Sequence, residues 1–100
     1  MKAKGGYVYI VSNKKRSALY VGVTSELDSR IYQHRNGFGS EFTKKYKCTD
    51  LVYYCFFDDI EGAIEREKKI KKWNRAWKDK LIRDFNPGLK DLSDQVDGMN

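Results

Sequence analysis

The first residue whose position suggests chemistry is a glutamate in the middle of a predicted helix. Glu67 falls on a helical face whose other residues are apolar, namely Ile60, Ala63, Ile64 and Ile70. A carboxylate on such a face is costly unless a cation pairs with it. Lys71, one turn later, is one candidate partner, and a divalent metal is another. The plain alternative is an ion pair within the helix that has no further role.

An arginine and a histidine share one face of an earlier predicted helix. Arg30 and His34 are four residues apart, so their side chains lie one above the other, beside the apolar positions Leu27 and Ile31. Taken alone, such residues are most often a solvated arginine and a surface histidine. A pair without a role would more often occupy the far face of the helix, so the position of this pair favours a site.

Two tyrosines complete the set, and both lie in a predicted β-hairpin. Residues 7–11 and 18–23 are rich in β-branched and aromatic side chains, and the polar residues between them predict a turn. If residues 13–16 form the loop, Tyr9 lies directly opposite Tyr20. Cross-strand partners share a face of the sheet, so both hydroxyls are expected on the same side. Tyrosines in a hairpin usually serve packing, and only their combination with the charged residues gives them weight.

The elements that position these residues follow from apolar spacing and from turn residues. A helix is predicted to begin near Ser25 and to end at about Asn36, before Gly37. Residues 38–48 are interpreted as a loop with room for a short helical turn. The continuous apolar run at residues 51–57 predicts a buried strand, either at the centre of the sheet or at its most covered edge.

Helical patterns return between residues 58 and 86, with a break or a continuation near Asn74, and Trp73 and Trp77 are interpreted as core residues. The predicted order is therefore β-β-α-β-α-α. This order indicates an α+β fold in which a small three-stranded, mostly antiparallel sheet is flanked by helices.

Charge is unevenly distributed along the chain. The net charge is +6, and residues 1–88 contain 19 Lys/Arg against 11 Asp/Glu, whereas residues 89–100 contain one lysine and three aspartates. Residues 1–88 are therefore expected to form the folded domain, and residues 89–100 an acidic, flexible tail. A basic domain favours a polyanionic partner, nucleic acid first, although basicity can also serve solubility alone.

Several function classes are disfavoured. Cys48 and Cys55 are seven residues apart and match no zinc pattern, and a disulfide between them is the less favoured interpretation. The first residues lack the apolar core of a signal peptide, and no apolar run approaches the roughly 20 residues that cross a bilayer. The sequence thus predicts a cytoplasmic protein that has no membrane partner.

The whole set of residues resembles the GIY-YIG nuclease superfamily, and in particular its small stand-alone, single-domain members. The resemblance covers roughly residues 6–88 and is carried by Tyr7-Val8-Tyr9, Tyr20-Val21-Gly22, Arg30 with His34, and Glu67. Two positions depart from the superfamily pattern. Tyr7 stands where the first motif has glycine, and Val21 stands where the second has isoleucine.

This resemblance implies a metal-dependent endonuclease that hydrolyses phosphodiester bonds, with DNA favoured over RNA and branched, damaged or single-stranded DNA as candidate substrates. Glu67 would bind Mg²⁺ or Mn²⁺, since a hard oxygen ligand suits both ions. Arg30 would neutralise the phosphate, and His34 would assist proton transfer or bind phosphate. Tyr9 or Tyr20 would position or deprotonate the attacking water, and a nearby cation would have to lower the pKa of that tyrosine.

Lys71 and Asn86 are additional site candidates, Asn86 by its position alone. Two other functions stay open, because the chain carries no separate recognition domain. It could be a nucleic-acid-binding module without catalysis, or an accessory protein whose specificity comes from a protein partner.

Overall fold

A computed structural model describes residues 5–97 of the chain. The predicted order β-β-α-β-α-α is confirmed, and two short helices are added to it. The strands are β1 Gly6–Ser12, β2 Leu19–Thr24 and β3 Asp50–Phe57. The helices are α1 Leu27–Arg35, α2 Glu41–Tyr46, α3 Ile60–Lys72, α4 Arg75–Phe85 and α5 Ser93–Val96. None of the helices within residues 5–97 combines the length and the apolar character that a membrane crossing requires.

The three strands form one antiparallel sheet in the order β2-β1-β3. The first strand is central, so the apolar β3 is a covered edge and not the centre of the sheet. One face packs against α3 and α4 through a core that includes Val8, Ile10 and Ile70. The other face packs against α1 and α5 through Tyr9, Leu27 and Val96 among others. Residues of the edge strand β2 pack into the cores on both faces of the sheet, and α3 also contacts this strand.

The hairpin register differs from the expected one by two residues. Tyr9 lies opposite Gly22 and Tyr20 lies opposite Val11, because the loop is six residues long. The Asn13 side chain accounts for this length: its Oδ1 accepts hydrogen bonds from the backbone N–H groups of Ser17 and Ala18, at 2.9 and 3.0 Å. A shift of two residues preserves the face. Tyr9 and Tyr20 therefore remain on one side of the sheet, as diagonal neighbours.

The close approach of Tyr9 to Gly22 predicts a stability effect. A Cβ on Gly22 would collide with the Cζ and hydroxyl of the Tyr9 ring. Gly22→Ala is therefore expected to lower the free energy of unfolding by about 1–3 kcal/mol, the usual cost of overpacking. Gly88→Ala is the control, since the nearest atoms to its new methyl belong to the Lys90 side chain at 3.4 Å. Equal urea midpoints for the two variants would contradict this packing.

Residues 89–97 do not form the loose tail that their charge suggested. Leu92 and Val96 are buried on the α1 face of the sheet. The Leu92 N–H donates to the Leu51 carbonyl at 2.7 Å, and the Asp91 Oδ1 accepts from the Leu51 N–H at 3.0 Å. The three aspartates of this segment suggested a solvated tail. Leu92 and Val96, which are four residues apart, instead pack the segment against the sheet. The termini of the predicted ranges, residues 1–4 and 98–100, lie outside the described residues.

Side-chain caps determine where helices α3 and α4 begin. The Asp59 carboxylate caps α3 by accepting from the Gly62 N–H at 2.6 Å. The chain breaks at Asn74, whose side chain caps α4.

Trp73 is half-buried against the core, but Trp77 is 57% exposed, so its interpretation as a core residue is wrong. Cys48 and Cys55 are both free thiols.

Candidate active site

The most buried part of the candidate site is a hydrogen bond between a tyrosine and a histidine. The Tyr9 hydroxyl lies 2.8 Å from His34 Nε2, and the exposed fraction of each side chain is only 2%. Tyr9 reaches this point from the central strand and His34 from the last turn of α1. Gly39 makes room for the imidazole, because a Cβ there would collide with its ring. The structure thus joins two of the predicted residues directly.

A threonine that the sequence did not single out orients the histidine. Thr43 Oγ1 lies 3.1 Å from His34 Nδ1 and donates to the Ser40 carbonyl, also at 3.1 Å. The assignment that satisfies the Ser40 carbonyl points the Thr43 hydroxyl proton at Ser40 and has Nδ1 of His34 donate to Thr43. In this neutral tautomer the lone pair of Nε2 faces Tyr9, which donates its hydroxyl proton. The tautomer is therefore a prediction of this arrangement.

The electrostatic state of both groups follows from their burial. Desolvation, together with the positive charge of Arg30, lowers the pKa of His34 to about 4. Burial also raises the pKa of Tyr9, and the neighbouring Tyr20 and Glu67 add to this, while Arg30 opposes it. At neutral pH, Tyr9 is therefore a protonated donor and His34 a neutral acceptor. The lowered tyrosine pKa that a base would need is not found at Tyr9.

This arrangement predicts an unusual titration of the only histidine in the chain. The folded-state pKa lies below the unfolded value of 6.5, so neutral His34 stabilises the fold above pH 6.5. That stability is lost as the pH falls toward 4, with a slope of up to about 1.4 kcal/mol per pH unit from this group. The ¹⁵N resonances of the imidazole should report the Nδ1–H tautomer at pH 7.

Thr43→Val provides the matched perturbation for this prediction. Valine keeps the shape of threonine but removes the acceptor for Nδ1, so the tautomer should no longer be fixed, whereas Thr43→Ser should retain it. A wild-type imidazole that titrates near 6.5 or that carries its proton on Nε2 would rule out the proposed hydrogen-bond chain.

The second tyrosine lies at the accessible edge of the same face. Tyr20 is half-buried, and its ring centroid is 5.7 Å from that of His34. The Lys71 ammonium lies 5.6 Å from the Tyr20 ring centroid and 3.0 Å from Glu67 Oε2. Glu67 and Lys71 thus reach the tyrosine face from the other layer, around the edge strand β2. The predicted ion pair is present, and its lysine also lies near the Tyr20 ring.

The guanidinium of Arg30 completes the charged groups around the tyrosines. Arg30 is half-buried on α1, one turn before His34. Its charge acts on both Tyr9 and His34, and the charge of Glu67 acts on Tyr9. The electric field at the Tyr9 hydroxyl therefore includes contributions from one cation, Arg30, and one carboxylate, Glu67.

The Asn86 side chain makes structural hydrogen bonds, and none of them involves the other predicted site residues. It is buried at the end of α4, where its Nδ2 donates to the Val52 and Lys90 carbonyls at 3.2 and 2.8 Å. Its Oδ1 accepts from the Lys90 N–H at 3.2 Å. These bonds join α4 to β3 and to the segment that follows, so the side chain is occupied structurally.

The donor set fits a divalent metal only in a restricted way. No group of three or more His, Cys, Asp or Glu side chains within residues 5–97 is arranged to hold a metal ion. Among the predicted site residues only Glu67 carries a carboxylate, and its side chain is 13% exposed. Mg²⁺ sites commonly use one or two carboxylates and complete their shell with water and substrate phosphate. The residues therefore fit a weakly held ion that binds together with substrate.

Comparison with known proteins identifies the pattern. Residues 5–80 match the family model described as the GIY-YIG catalytic domain. A UPF0213 protein of Staphylococcus saprophyticus is 42% identical over 76 residues, which cover 76% of this chain and 92% of the relative. A UPF0213 protein of Clostridium perfringens is 43% identical over 76 residues, which cover 76% of this chain and 81% of the relative.

A solved structure agrees with these relatives. The solution NMR structure of a UPF0213 protein from Bacillus halodurans superposes with a TM-score of 0.50 at 32% sequence identity. The match covers 78% of this chain and 82% of that protein. The predicted fold class is thus confirmed by the sheet and by a homologous structure.

Proposed function

The chain belongs to the GIY-YIG catalytic-domain family of nucleases, and we propose that it is a metal-dependent endonuclease that hydrolyses phosphodiester bonds in DNA. The observation that carries the proposal is the meeting of Tyr20 with the Glu67–Lys71 pair beside the Tyr9–His34 hydrogen bond. A carboxylate, two cations and two phenols around one accessible edge supply the groups that phosphodiester hydrolysis requires.

Tyr20 is the tyrosine that we assign to the attacking water. Tyr9 is buried and donates its proton to His34, so its hydroxyl is already occupied. Tyr20 is half-buried on the edge strand β2, and the Lys71 ammonium lies 5.6 Å from its ring centroid. In this proposal Tyr20 first gives its own proton to solvent and acts as the phenolate. The water oxygen then attacks phosphorus, the water proton passes to the Tyr20 oxygen, and the P–O bond breaks as the leaving oxygen takes a proton from solvent.

Tyr9 and His34 act through position. Their hydrogen bond holds His34 beside the Tyr20 ring, while burial and the charge of Arg30 keep the imidazole neutral. His34 is too buried to bind a phosphate directly, so of its two expected roles the assistance of proton transfer is the better supported.

Arg30 and Lys71 supply positive charge for the phosphate. Arg30 can form paired hydrogen bonds to two phosphate oxygens, and the flexible ammonium of Lys71 acts as a point charge. Glu67 would hold Mg²⁺ or Mn²⁺, which, when bound, would polarise a phosphate oxygen and stabilise the developing negative charge. In the free protein the Lys71 ammonium lies 3.0 Å from Glu67 Oε2.

The competing proposal is a nucleic-acid-binding module that does not cut, with or without a protein partner that directs it. Its support is the basic surface of the domain and the single carboxylate at the site. An oligonucleotide panel separates the two functions: single-stranded, duplex and branched DNA, and RNA, each with Mg²⁺, Mn²⁺ or EDTA. Metal-dependent cleavage favours the enzyme, and the substrate cut fastest identifies its class. Salt-sensitive binding to every member without cleavage would favour the module.

A further inference from the structure

Helix α2 carries a line of aromatic rings that leads away from Tyr20. The ring centroid of Phe42 is 6.1 Å from that of Tyr20, and the centroid of Tyr46 is 4.7 Å from that of Phe42. Phe42 is 40% exposed and Tyr46 is 45% exposed. We call Tyr20, Phe42 and Tyr46 the aromatic row. Exposure of two neighbouring large rings next to a charged site indicates a surface that binds something.

The surroundings of the aromatic row are strongly basic. Lys44, Lys45 and Lys47 are all exposed, and the Lys45 ammonium lies 5.3 Å from the Tyr46 ring centroid. Within residues 5–97, no ion pair joins any of these three lysines to a carboxylate. Their charge is therefore available to an anionic partner.

The aromatic row is held rigidly against the site. A capping box between Ser40 and Thr43 begins α2, and Lys47 in the left-handed conformation, with φ of 57°, ends it. Thr43 also bonds to His34, so the helix that carries Phe42 and Tyr46 is fixed to the same imidazole as Tyr9. A ligand that lies along the row therefore has a fixed direction relative to Tyr20.

We propose that the aromatic row is a stacking track for unpaired nucleotides on one side of the scissile phosphate. Every base has a π-face that can stack on an exposed ring, whereas bases inside a duplex already stack on one another. The three lysines can follow the phosphate backbone of such a strand. That the track adjoins a point of cleavage rests on the proposed function, but the binding itself does not.

Another exposed aromatic offers a weaker surface and therefore a control. Trp77 on α4 is 57% exposed and packs edge-on against Trp73. Two of the cations on α4 are paired, Lys80 with Asp84 at 3.0 Å and Arg75 with Asp79 at 2.9 Å. Trp77 is therefore a control for an exposed aromatic residue that lies outside the aromatic row, beside lysine and arginine side chains that are partly paired.

The test is a binding titration in EDTA, so that cleavage plays no part. Fluorescently labelled oligodeoxythymidylate, oligouridylate and a duplex of the same length are titrated with wild type, Phe42→Leu, Tyr46→Leu, the double variant and Trp77→Leu. Each row variant is expected to weaken binding of both single strands about tenfold. Duplex binding and the Trp77→Leu variant should stay within about twofold of wild type. Circular dichroism melts verify that each variant is folded.

Three results of this titration would overturn the proposal. They are an equal loss for duplex and single strands, a larger loss in Trp77→Leu than in the row variants, and unchanged binding in the double variant. Self-association that Phe42→Leu abolishes without an effect on oligonucleotides would also overturn it, since the row would then bind a second copy of this chain. A chain that binds single strands through the row but cuts nothing would leave this inference standing and refute the proposed nuclease.

Discussion

Glu67→Gln is expected to lower the single-turnover rate of phosphodiester cleavage by about 10²–10⁴-fold. Glutamine keeps the size of the side chain but removes the charge that would hold the metal, whose electrostatic contribution to the transition state is several kcal/mol. The fold should tolerate the change. The Glu67–Lys71 pair lies within one helix, and such pairs contribute only a few tenths of a kcal/mol to stability.

Glu65→Gln is the matched control for this prediction. Glu65 lies on the same helix, is exposed, and faces away from the apolar stripe that includes Ala63 and Ile70. Its replacement removes the same charge from the protein but should leave the cleavage rate within about twofold of wild type. Equal cleavage rates for Glu67→Gln and wild type would contradict the assignment of a metal-binding role to Glu67.

Tyr20→Phe is expected to have the second large effect, a loss of about 10²–10⁴-fold in the cleavage rate with little change in stability. The hydroxyl is the group assigned to the water proton, and general-base catalysis commonly contributes a factor of this size. The phenyl ring that remains can keep its contacts with His34 and Phe42. Single-strand binding in EDTA should therefore persist while cleavage is lost.

Tyr9→Phe tests the same assignment from the opposite side. It removes the donor to the buried His34 Nε2, so the free energy of unfolding should fall by about 1–3 kcal/mol. The rate should fall less than in Tyr20→Phe, because Tyr9 acts only by holding His34. If Tyr9→Phe abolished cleavage without a loss of stability, while Tyr20→Phe stayed active, the roles of the two tyrosines would have to be exchanged.

The hairpin illustrates how much of the site the sequence could predict. The alternation of side chains along β1 and β2 was enough to put Tyr9 and Tyr20 on one face. The exact register depended on the Asn13 side chain, which accepts two backbone hydrogen bonds and lengthens the loop. Because the error was an even number of residues, the prediction about the shared face survived it.

Burial distinguishes the two tyrosines, Tyr9 and Tyr20, that look equivalent in the sequence. Nothing in the motifs distinguishes Tyr9 from Tyr20, but one lies on the central strand beneath α1 and the other on the edge strand. Burial raises the pKa of Tyr9, and this burial arises only when the helices are packed. Thr43 was missed for a similar reason: its role depends on a nine-residue separation from His34 that has no periodic signature.

Charge alone misled the interpretation of the last residues. Asp91, Asp94 and Asp97 suggested a solvated tail, whereas Leu92 and Val96 bury themselves beside Leu51. Asn86 was a candidate by position only, and its amide proves to be engaged in three structural hydrogen bonds. In both cases one partner lies on β3, Leu51 or Val52, and is remote in sequence, so that pairing could not be inferred from local pattern.

The measurement that tests the account most directly is the nicking of supercoiled plasmid by the purified chain with Mg²⁺, with Mn²⁺ and with EDTA. Glu67→Gln and Glu65→Gln, purified in the same way, exclude a contaminating nuclease. The account predicts nicked circles with metal for wild type and Glu65→Gln, and none with EDTA or with Glu67→Gln. Cleavage that persists in EDTA, or that is equal for Glu67→Gln and wild type, would contradict it.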